Sequence, residues 1–392
     1  MPLKELRPGT PDELAAALRE AATRDRHIAI EGASSKIRMG GPRRAANVVI
    51  GTTALNRLLL YEPEDLTISV EAGMRYADLK RILAENRQMV PLDPPFAETA
   101  TIGGILATNG SGPRRRLYGS ARDLVIGMKF ATLEGKIVQS GGMVVKNVAG
   151  LDMAKLMIGS FGTLAAIATV NFKLTPMPAL ERSFLLPFGT AAEAVAARDR
   201  ILSSVLQPSA IDILSKWDSP LGRATASLET AGFTWNHLLA VQAGGNAAVV
   251  ARYESEMREL GADCTVLEGE AQAGFWRSVG EFAARKNGCI VRVSCRLAQV
   301  RDVLESTSVP LLARAGSGVC YAAFDEPAAA FAWMEDADRK GYKAIMESAP
   351  ESDKDSTNLW PSPGPGFETM TRVKQMFDPN RLLNRDRLYH RI

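Results

Sequence analysis

The sequence predicts an α+β protein of two domains, the second of which carries an antiparallel sheet with helices packed on it. Three observations lead to this prediction. The 392 residues exceed what one hydrophobic core commonly organises. The first half alternates short helices and strands with glycine-rich turns. Pro176-Met177-Pro178 then separates it from a half with longer strands and helices.

Caps and apolar runs place the elements of the first half. Thr10-Pro11-Asp12-Glu13 has the pattern of a capping box with proline at the first helical position, which predicts a helix ending near Thr23. The other predictions for this half are strands at 27–30, 67–70, 89–92 and 164–174, helices at 76–86 and 152–158, and a hairpin at 130–138.

Beyond the proline-rich boundary, strands alternate with longer helices. Thr190-Ala191-Ala192-Glu193 is a second capping box and opens an alanine-rich helix. Strands are predicted at 184–188, 238–242, 289–294, 319–324 and 342–346, and helices at 247–260, 327–340 and 367–377. We divide the chain into domains at 1–176 and 177–350, and we expect the segment 351–392 to return to the first domain.

Composition and charge argue against several classes of protein. A net charge of +3 is too small to indicate a nucleic-acid partner, and clusters such as Arg43-Arg44 and Arg114-Arg115-Arg116 are more often solvated than anion-binding. No apolar run approaches the roughly 20 residues of a membrane span, and the N-terminus lacks the apolar core of a signal peptide. We expect a cytoplasmic protein that reaches the inner membrane only through partners.

The cysteines contain no CxxC pair, which argues against a zinc ribbon or an iron–sulfur cluster held by this chain alone. We therefore expect no metal site, and buried free thiols are the simplest interpretation. The four cysteines are Cys264, Cys289, Cys295 and Cys320.

Three glycine-rich segments of the first domain are candidates for a ligand site. Gly32-Ala33-Ser34-Ser35-Lys36 follows a predicted strand, and its small residues allow successive N–H groups to face a diphosphate, although a plain turn explains them equally well. The segment 101–112 offers hydroxyls and amides to phosphate or ring atoms, with a purely structural loop as the alternative. The segment 146–163 places glycines at both ends of a helix. None has GxGxxG or GxxxxGK[ST] spacing, which disfavours a Rossmann site and a P-loop.

Taken in order, these segments resemble the FAD-binding domain of the vanillyl-alcohol oxidase (PCMH) type, which implies two α/β subdomains followed by a cap domain. The shared patterns are the first glycine loop, "TIGG…ATN.SG" at 101–112, "YG…D.V.G" at 118–127 and "GS.GTL" at 159–164. Residues 141–152 and the ending 377–389 are most similar to glycolate oxidase flavoprotein subunits, and to the smaller of these. Arg385-Asp386 stands where those proteins have Pro-Gly.

The resemblance implies a role for each segment. The first would bind the FAD diphosphate, the second would line the flavin and its ribityl-phosphate arm, and the third would lie near the adenosine. The implied cofactor residues are Gly32, Ala33, Ser34, Ser35, Lys36, Ile102, Gly103, Gly104, Ala107, Thr108, Asn109, Gly110, Ser111, Gly112, Gly159, Gly162 and Ile167. Some members bind flavin covalently through a histidine of the first loop. Because His27, His237 and His390 lie outside that loop, we expect non-covalent FAD.

The second domain lacks the histidines of related D-2-hydroxyacid dehydrogenases. In those proteins "H.GDGN.H" and "EHG" segments hold a metal and a base, which assist removal of the hydroxyl proton as hydride leaves the carbinol carbon. The apparent equivalents here, 314–320 and 348–352, contain no histidine. Arg292 as a carboxylate clamp and Lys146 near the flavin are candidates, although each also fits a structural charge. The sequence assigns no catalytic residue.

The resemblance and the missing histidines together indicate an FAD subunit of a complex that converts glycolate to glyoxylate. Its role would be assembly or electron relay. Its partners would be a second FAD subunit that carries the substrate site and an iron–sulfur subunit that passes electrons on. Two alternatives remain open: a stand-alone flavin-dependent dehydrogenase or oxidase for a D-lactate-like 2-hydroxyacid, and a scaffold with a vestigial flavin pocket.

Overall fold

A computed structural model describes residues 3–143, 151–215, 235–261, 263–285, 287–355 and 359–392. The chain divides into two compact units. The first unit comprises 1–111, 119–177 and 351–392, and the second comprises 112–118 and 178–350. Each unit is described separately below.

The strands are numbered in chain order: β1 Lys4–Leu6, β2 Ile28–Glu31, β3 Val48–Gly51, β4 Leu58–Glu62, β5 Thr67–Glu71, β6 Gln88–Met89, β7 Val125–Ala131, β8 Ile137–Gly141, β9 Ala166–Lys173, β10 Thr175–Pro176, β11 Leu180–Phe188, β12 Ala210–Ser215, β13 His237–Gly245, β14 Thr265–Leu267, β15 Cys289–Ser294, β16 Leu311–Arg314, β17 Val319–Phe324 and β18 Lys343–Ser348. The described α-helices are α1 Pro11–Thr23, α2 Tyr76–Ala84, α3 Ile102–Ala107, α4 Arg115–Tyr118, α5 Ala121–Leu124, α6 Met153–Met157, α7 Ala191–Ser203, α8 Ala247–Leu260, α9 Gly269–Gly280, α10 Val300–Glu305, α11 Pro327–Arg339 and α12 Phe367–Phe377. Short 3₁₀ helices lie at Glu281–Ala284, Leu297–Gln299 and Glu351–Asp353.

The first unit contains a parallel sheet in the order β1-β3-β2 and an antiparallel sheet in the order β4-β5-β9-β7-β8. Helix α1 begins after Thr10, whose hydroxyl accepts a hydrogen bond from the Glu13 N–H at 3.1 Å. Leu14 and Leu18 of this helix, one turn apart, are fully buried in the core that includes the parallel sheet. A second core surrounds the antiparallel sheet.

The C-terminal segment lies beside the exposed edge of β2. Leu383 forms a parallel bridge with Ile28, and the backbone of Ile28 bonds Leu382 and Asn384 at 2.8 and 3.0 Å. The segment thus extends the parallel sheet by one short bridge. This contact brings the last residues of the chain to the end of β2, where a glycine-rich turn begins.

The second unit contains an eight-stranded sheet in the order β14-β11-β13-β12-β16-β17-β15-β18, in which every described pairing is antiparallel. The predicted capping box at Thr190 and Glu193 is present at the start of α7. One core cluster of this unit packs Phe275 and Val279 of α9 with Leu185 and Ile290 of the sheet. The predicted α+β class, with helices packed on an antiparallel sheet, is confirmed.

Several local features differ from the predictions, and two of them have a clear physical reason. The strand expected at 89–92 is only Gln88–Met89, because Pro91 has no N–H to continue a ladder. Strand β12 was not predicted, because the charged Asp212 interrupts its apolar run. Among the described residues, no helix has both the length and the apolar character that crossing a bilayer requires.

Candidate cofactor site

A cavity of about 400 Å³ lies within the first unit, at the carboxyl end of β2. The parts of the chain that line it include β2 with the turn after it, the loop before β3, helix α3, the turn before β9 and the C-terminal segment. This volume is within the range of roughly 300–1,000 Å³ that is usual for small-molecule and cofactor sites. Its lining combines backbone groups, small side chains and basic side chains.

The turn after β2 approaches α3 very closely. A Cβ placed on Gly32 would lie 2.3 Å from Oγ1 of Thr101, so only glycine fits this position without a shift. Ser34 has a positive φ of 52°, and its hydroxyl donates to the Glu31 carboxylate at 2.7 Å. Lys36 is buried, and its Nζ lies 3.5 Å from the position that a Cβ on Gly110 would take. The first and second glycine-rich segments are therefore neighbours in space.

Helix α3 presents its small residues to the cavity. Thr101 caps the helix, since its hydroxyl accepts from the Gly104 N–H at 3.3 Å. The Gly103 N–H donates to the Ala72 carbonyl at 2.7 Å, and a Cβ on Gly103 would lie 3.1 Å from that residue. Glycine at 103 thus holds the helix against the chain after β5. Gly104 faces open space apart from the Thr101 hydroxyl.

The C-terminal segment closes another side of the cavity. Asn384 accepts from the Ile30 N–H at 2.8 Å and donates to the Phe161 carbonyl at 2.7 Å, so one amide joins β2 to the turn before β9. Upstream, the buried Lys374 donates to the Asp378 carboxylate at 2.6 Å, and that carboxylate also accepts from two backbone N–H groups at 2.8 Å. These bonds fix the position of the residues that follow.

Basic side chains dominate the charge of the lining. Those that line the cavity are Lys36, Arg43, Arg44, Arg385 and Arg387, against the single carboxylate of Glu31, which bonds Arg43. Burial lowers the pKa of Arg387 to about 10, and its guanidinium lies 6.0 Å from the centre of the Phe161 ring. A bound anion would offset the cost of burying this charge. Burial likewise lowers the pKa of His27, which also lines the cavity.

The cavity brings together most of the residues that the sequence singled out. Those that line it are Gly32, Ala33, Ser34, Ser35, Lys36, Gly103, Gly104, Ala107, Thr108, Gly162 and Ile167. Ile102, Asn109, Gly110, Ser111 and Gly159 belong to the same unit without lining the cavity, and Gly112 belongs to the second unit. Residues 144–150, with Lys146, lie outside the described part of the chain. The sequence reasoning assigned no cofactor role to Arg43, Arg44, Asn384, Arg385 and Arg387.

The second unit places its candidate groups in ion pairs. Arg314, where related dehydrogenases have histidine, is buried and pairs with Asp212 of β12. Arg292, the candidate carboxylate clamp, pairs with Glu347 at 2.9 Å. His237 is buried. Among the residues that the structure describes, no group of three or more His, Cys, Asp or Glu side chains could hold a metal ion.

Comparisons with known proteins agree with the geometry of the first unit. Residues 2–141 match a family model described as an FAD binding domain, and 362–388 match the C-terminal domain of FAD linked oxidases. The chain is 32% identical over 256 residues to the glycolate oxidase subunit GlcE of Escherichia coli (strain K12), which covers 65% of this chain and 63% of that protein. It is 29% identical over 205 residues to a D-lactate dehydrogenase of Anaerostipes hadrus, covering 52% of this chain and 43% of that protein.

Solved structures show the same fold. An alkyldihydroxyacetonephosphate synthase superposes with a TM-score of 0.72 over 97% of this chain and 76% of its own, at 18% identity. At this level of identity the similarity establishes the fold alone. The C-terminal match includes Lys374, Asp378 and Asn384, the residues that hold the last segment against β2.

Proposed function

We propose that this chain, whose residues 2–141 match a family model described as an FAD binding domain, holds FAD without a covalent bond. In this proposal it is one subunit of a complex that oxidises glycolate to glyoxylate. The observation that carries this proposal is the cavity at the end of β2, with its basic lining and closely approaching glycines. When bound, FAD supplies the acceptor for the two electrons that leave the substrate.

The residues present fit a dinucleotide with a diphosphate. In this proposal the N–H groups of 32–36 and the basic side chains bind the diphosphate, since small residues expose the backbone and cations neutralise the charge. The α3 glycines and Thr108 line the flavin side, and Gly162 and Ile167 lie toward the adenosine. Asn109 Oδ1 is buried and has no hydrogen-bond partner among the described residues, but the residue does not line the cavity, so we assign it no contact with the cofactor.

The ion pairs of the second unit support the role of subunit. Arg292 and Arg314 already bond the carboxylates of Glu347 and Asp212, which leaves them poorly suited to hold a substrate carboxylate as well. We therefore assign the substrate site to a second, GlcD-like FAD subunit and onward electron transfer to a GlcF-like iron–sulfur subunit. This chain then contributes assembly, electron relay or both. The E. coli relative is itself a glycolate oxidase subunit, which agrees with this assignment.

The similarity to a D-lactate dehydrogenase favours one alternative, in which the chain alone oxidises a 2-hydroxyacid. Anaerobic addition of glycolate or D-lactate to the purified yellow protein separates the two. We expect no bleaching of the flavin bands by the chain alone, and bleaching by glycolate after co-expression with the GlcD-like and iron–sulfur partners. Bleaching of the isolated chain by either acid would overturn the subunit assignment.

The cofactor claim has its own test. We expect acid precipitation to leave all flavin in the supernatant, and flavin in the pellet would contradict non-covalent binding. A colourless protein that also fails to bind added FAD would instead support a vestigial pocket.

A further inference from the structure

Residues 384–392, which we call the strap, lie against the loop before β3 in the first unit. The strap begins directly after Leu383, which is fully buried. The Gly41 N–H donates to the Arg387 carbonyl at 2.8 Å. A Cβ placed on Gly41 would lie 2.1 Å from the carbonyl oxygen of Asp386, so only glycine allows the loop to approach the strap this closely. The strap thus has a fixed beginning and one direct hydrogen bond that reports whether it is closed on the loop.

The strap brings two arginines to a cavity wall that is already basic. Arg385 and Arg387 of the strap line the cavity together with Lys36, Arg43 and Arg44. Carboxylates bond the guanidinium groups of Arg43 and Arg44. The guanidinium groups of Arg385 and Arg387 instead donate to backbone carbonyls of the loop, and neither forms an ion pair among the described residues. Closing the strap therefore brings two cations to the cavity without ion-pair partners of their own.

The environment of Arg387 is unfavourable to its charge. Burial is the largest influence and lowers the pKa of this guanidinium to about 10, and repulsion by Arg43 acts in the same direction. The carboxylates of Glu351 and Glu31 attract the guanidinium but do not restore the usual pKa. The charged form is therefore less stable here than in water, and an anion in the cavity would stabilise it.

The backbone of the strap also opposes the closed arrangement, whereas aromatic contacts favour it. Four of its nine residues have φ between 35° and 64°, namely Asn384, Asp386, Tyr389 and His390. Left-handed residues other than glycine persist only where the surrounding contacts fix them. The Tyr389 ring lies 5.3 Å from the Trp360 ring and 5.2 Å from the Phe367 ring, centre to centre, and these contacts hold the strap down. Opposing contributions of this kind give an equilibrium that a ligand can shift.

We propose that a bound diphosphate holds the strap closed over the cavity and that the strap opens readily in the FAD-free protein. The inference rests on the proposed function, because it takes the FAD diphosphate to bind among the basic side chains of the cavity. A diphosphate would compensate Arg385 and Arg387 of the strap and Arg43 and Arg44 of the loop at the same time. Linkage makes the effect reciprocal, so the ligand that closes the strap is also held by it. The group recognised is the diphosphate, and the flavin ring is not required.

Hydrogen exchange of the full chain, followed by mass spectrometry, tests the proposal with and without FAD. The Gly41 amide is the reporter, because its acceptor is the Arg387 carbonyl on the strap. We expect FAD to slow its exchange at least about tenfold. Helix α1 belongs to the same unit and is the internal control, whose exchange should change less than about twofold. Unchanged exchange at Gly41 with FAD bound, or an equal slowing at Gly41 and in α1, would overturn the proposal.

Two further ligands separate a failure of this inference from a failure of the proposed function. ADP carries the diphosphate without the flavin, and FMN carries the flavin with a single phosphate. We expect ADP to slow exchange at Gly41 as FAD does, and FMN at the same concentration to leave it unchanged. Protection by FMN but not by ADP would overturn the role of the diphosphate. If FAD fails to bind in a flavin-fluorescence titration while ADP still protects Gly41, the cofactor assignment fails and the strap proposal stands; if neither binds, both fail.

Two methionine variants test the contribution of the charge on the strap. Arg387→Met removes a cation that closure buries and that the diphosphate compensates, so saturating FAD should protect Gly41 less than about threefold. The matched control Arg391→Met alters an exposed arginine of the same strap that does not line the cavity, and it should keep the full protection. Equal protection in the two variants would contradict the role of Arg387. If Arg387→Met does not fold, the comparison of ADP with FMN on the unaltered protein decides the question.

Discussion

Replacing Gly32 by alanine tests whether the contact between the turn after β2 and α3 shapes the FAD cavity. The new Cβ would lie 2.3 Å from the hydroxyl oxygen of Thr101, a residue that is 2% exposed and has little room to move. Displacing that hydroxyl also removes the cap on the Gly104 N–H. The substitution therefore strains packing and exposes a helix end at the same time.

The magnitude follows from these two contributions. Overpacking of a tight site costs roughly 1–3 kcal/mol and loss of a threonine cap costs about 1 kcal/mol. If the two contributions together destabilise the cofactor-binding conformation by about 2–4 kcal/mol, the FAD dissociation constant rises roughly 30- to 1,000-fold. Titration of the apoprotein with FAD, followed by flavin fluorescence, measures this constant directly.

A double variant gives the sharper test. Thr101→Ala removes the clashing oxygen and should weaken FAD binding only about fivefold, the value of a lost cap. Gly32→Ala combined with Thr101→Ala should resemble Thr101→Ala alone, because the clash has gone. Gly9→Ala is the matched control, since its nearest neighbour would be the Glu13 carboxylate at 3.6 Å. If the double variant instead lost FAD affinity by the sum of the two single effects, the proposed clash between residues 32 and 101 would be refuted.

Three further predictions concern other parts of the chain. Gly104→Glu should abolish FAD retention through gel filtration, because the new carboxylate would extend into the cavity on the proposed flavin side, and the uncharged Gly104→Gln should retain more flavin. Equal flavin content in the two variants and the unaltered protein would show that the pocket lies elsewhere. Lys374→Met should lower the free energy of unfolding, measured by urea denaturation, by about 3–5 kcal/mol, because it leaves the buried Asp378 carboxylate without its cation. The control Arg372→Met removes an exposed ion pair with Glu368 on the same helix and should change that free energy by less than about 1 kcal/mol. A similar loss in both variants would be inconsistent with this. Alkylation of Cys264 should accelerate only as the pH approaches 11, since a raised pKa keeps its thiol protonated below that value, and Cys295 should react at lower pH. Superimposed pH profiles would argue against the difference in acidity.

The residues of the cavity fall into those that local sequence could reveal and those that it could not. The turn after β2 and the small residues of α3 stand out because glycines and hydroxyls cluster within a few positions. Asn384 shows no such signal, since its partner Ile30 is 354 residues away. Arg43 formed a visible cluster with Arg44, but only the fold distinguishes a cavity wall from a solvated surface.

Partners that are distant in sequence also explain what the sequence did not reveal about the second unit. Arg292 was a reasonable carboxylate clamp in isolation, and its partner Glu347 lies 55 residues later in β18. Asp212 interrupted an apolar run and hid β12, because the charge that compensates it, Arg314, is 102 residues away on β16. Local pattern thus predicted α1 and α7 from their caps, while buried ion pairs depended on strand order.

The position of the last segment has a consequence for the order in which the protein matures. During synthesis the turn after β2 emerges early, but Asn384 follows its partner Ile30 by 354 residues, and Arg385 and Arg387 come after Asn384. One wall of the cavity therefore cannot form until these residues have left the ribosome, and we expect tight capture of FAD to wait for them. A chain stalled before residue 384 would carry the matched residues 2–141 and still lack this wall.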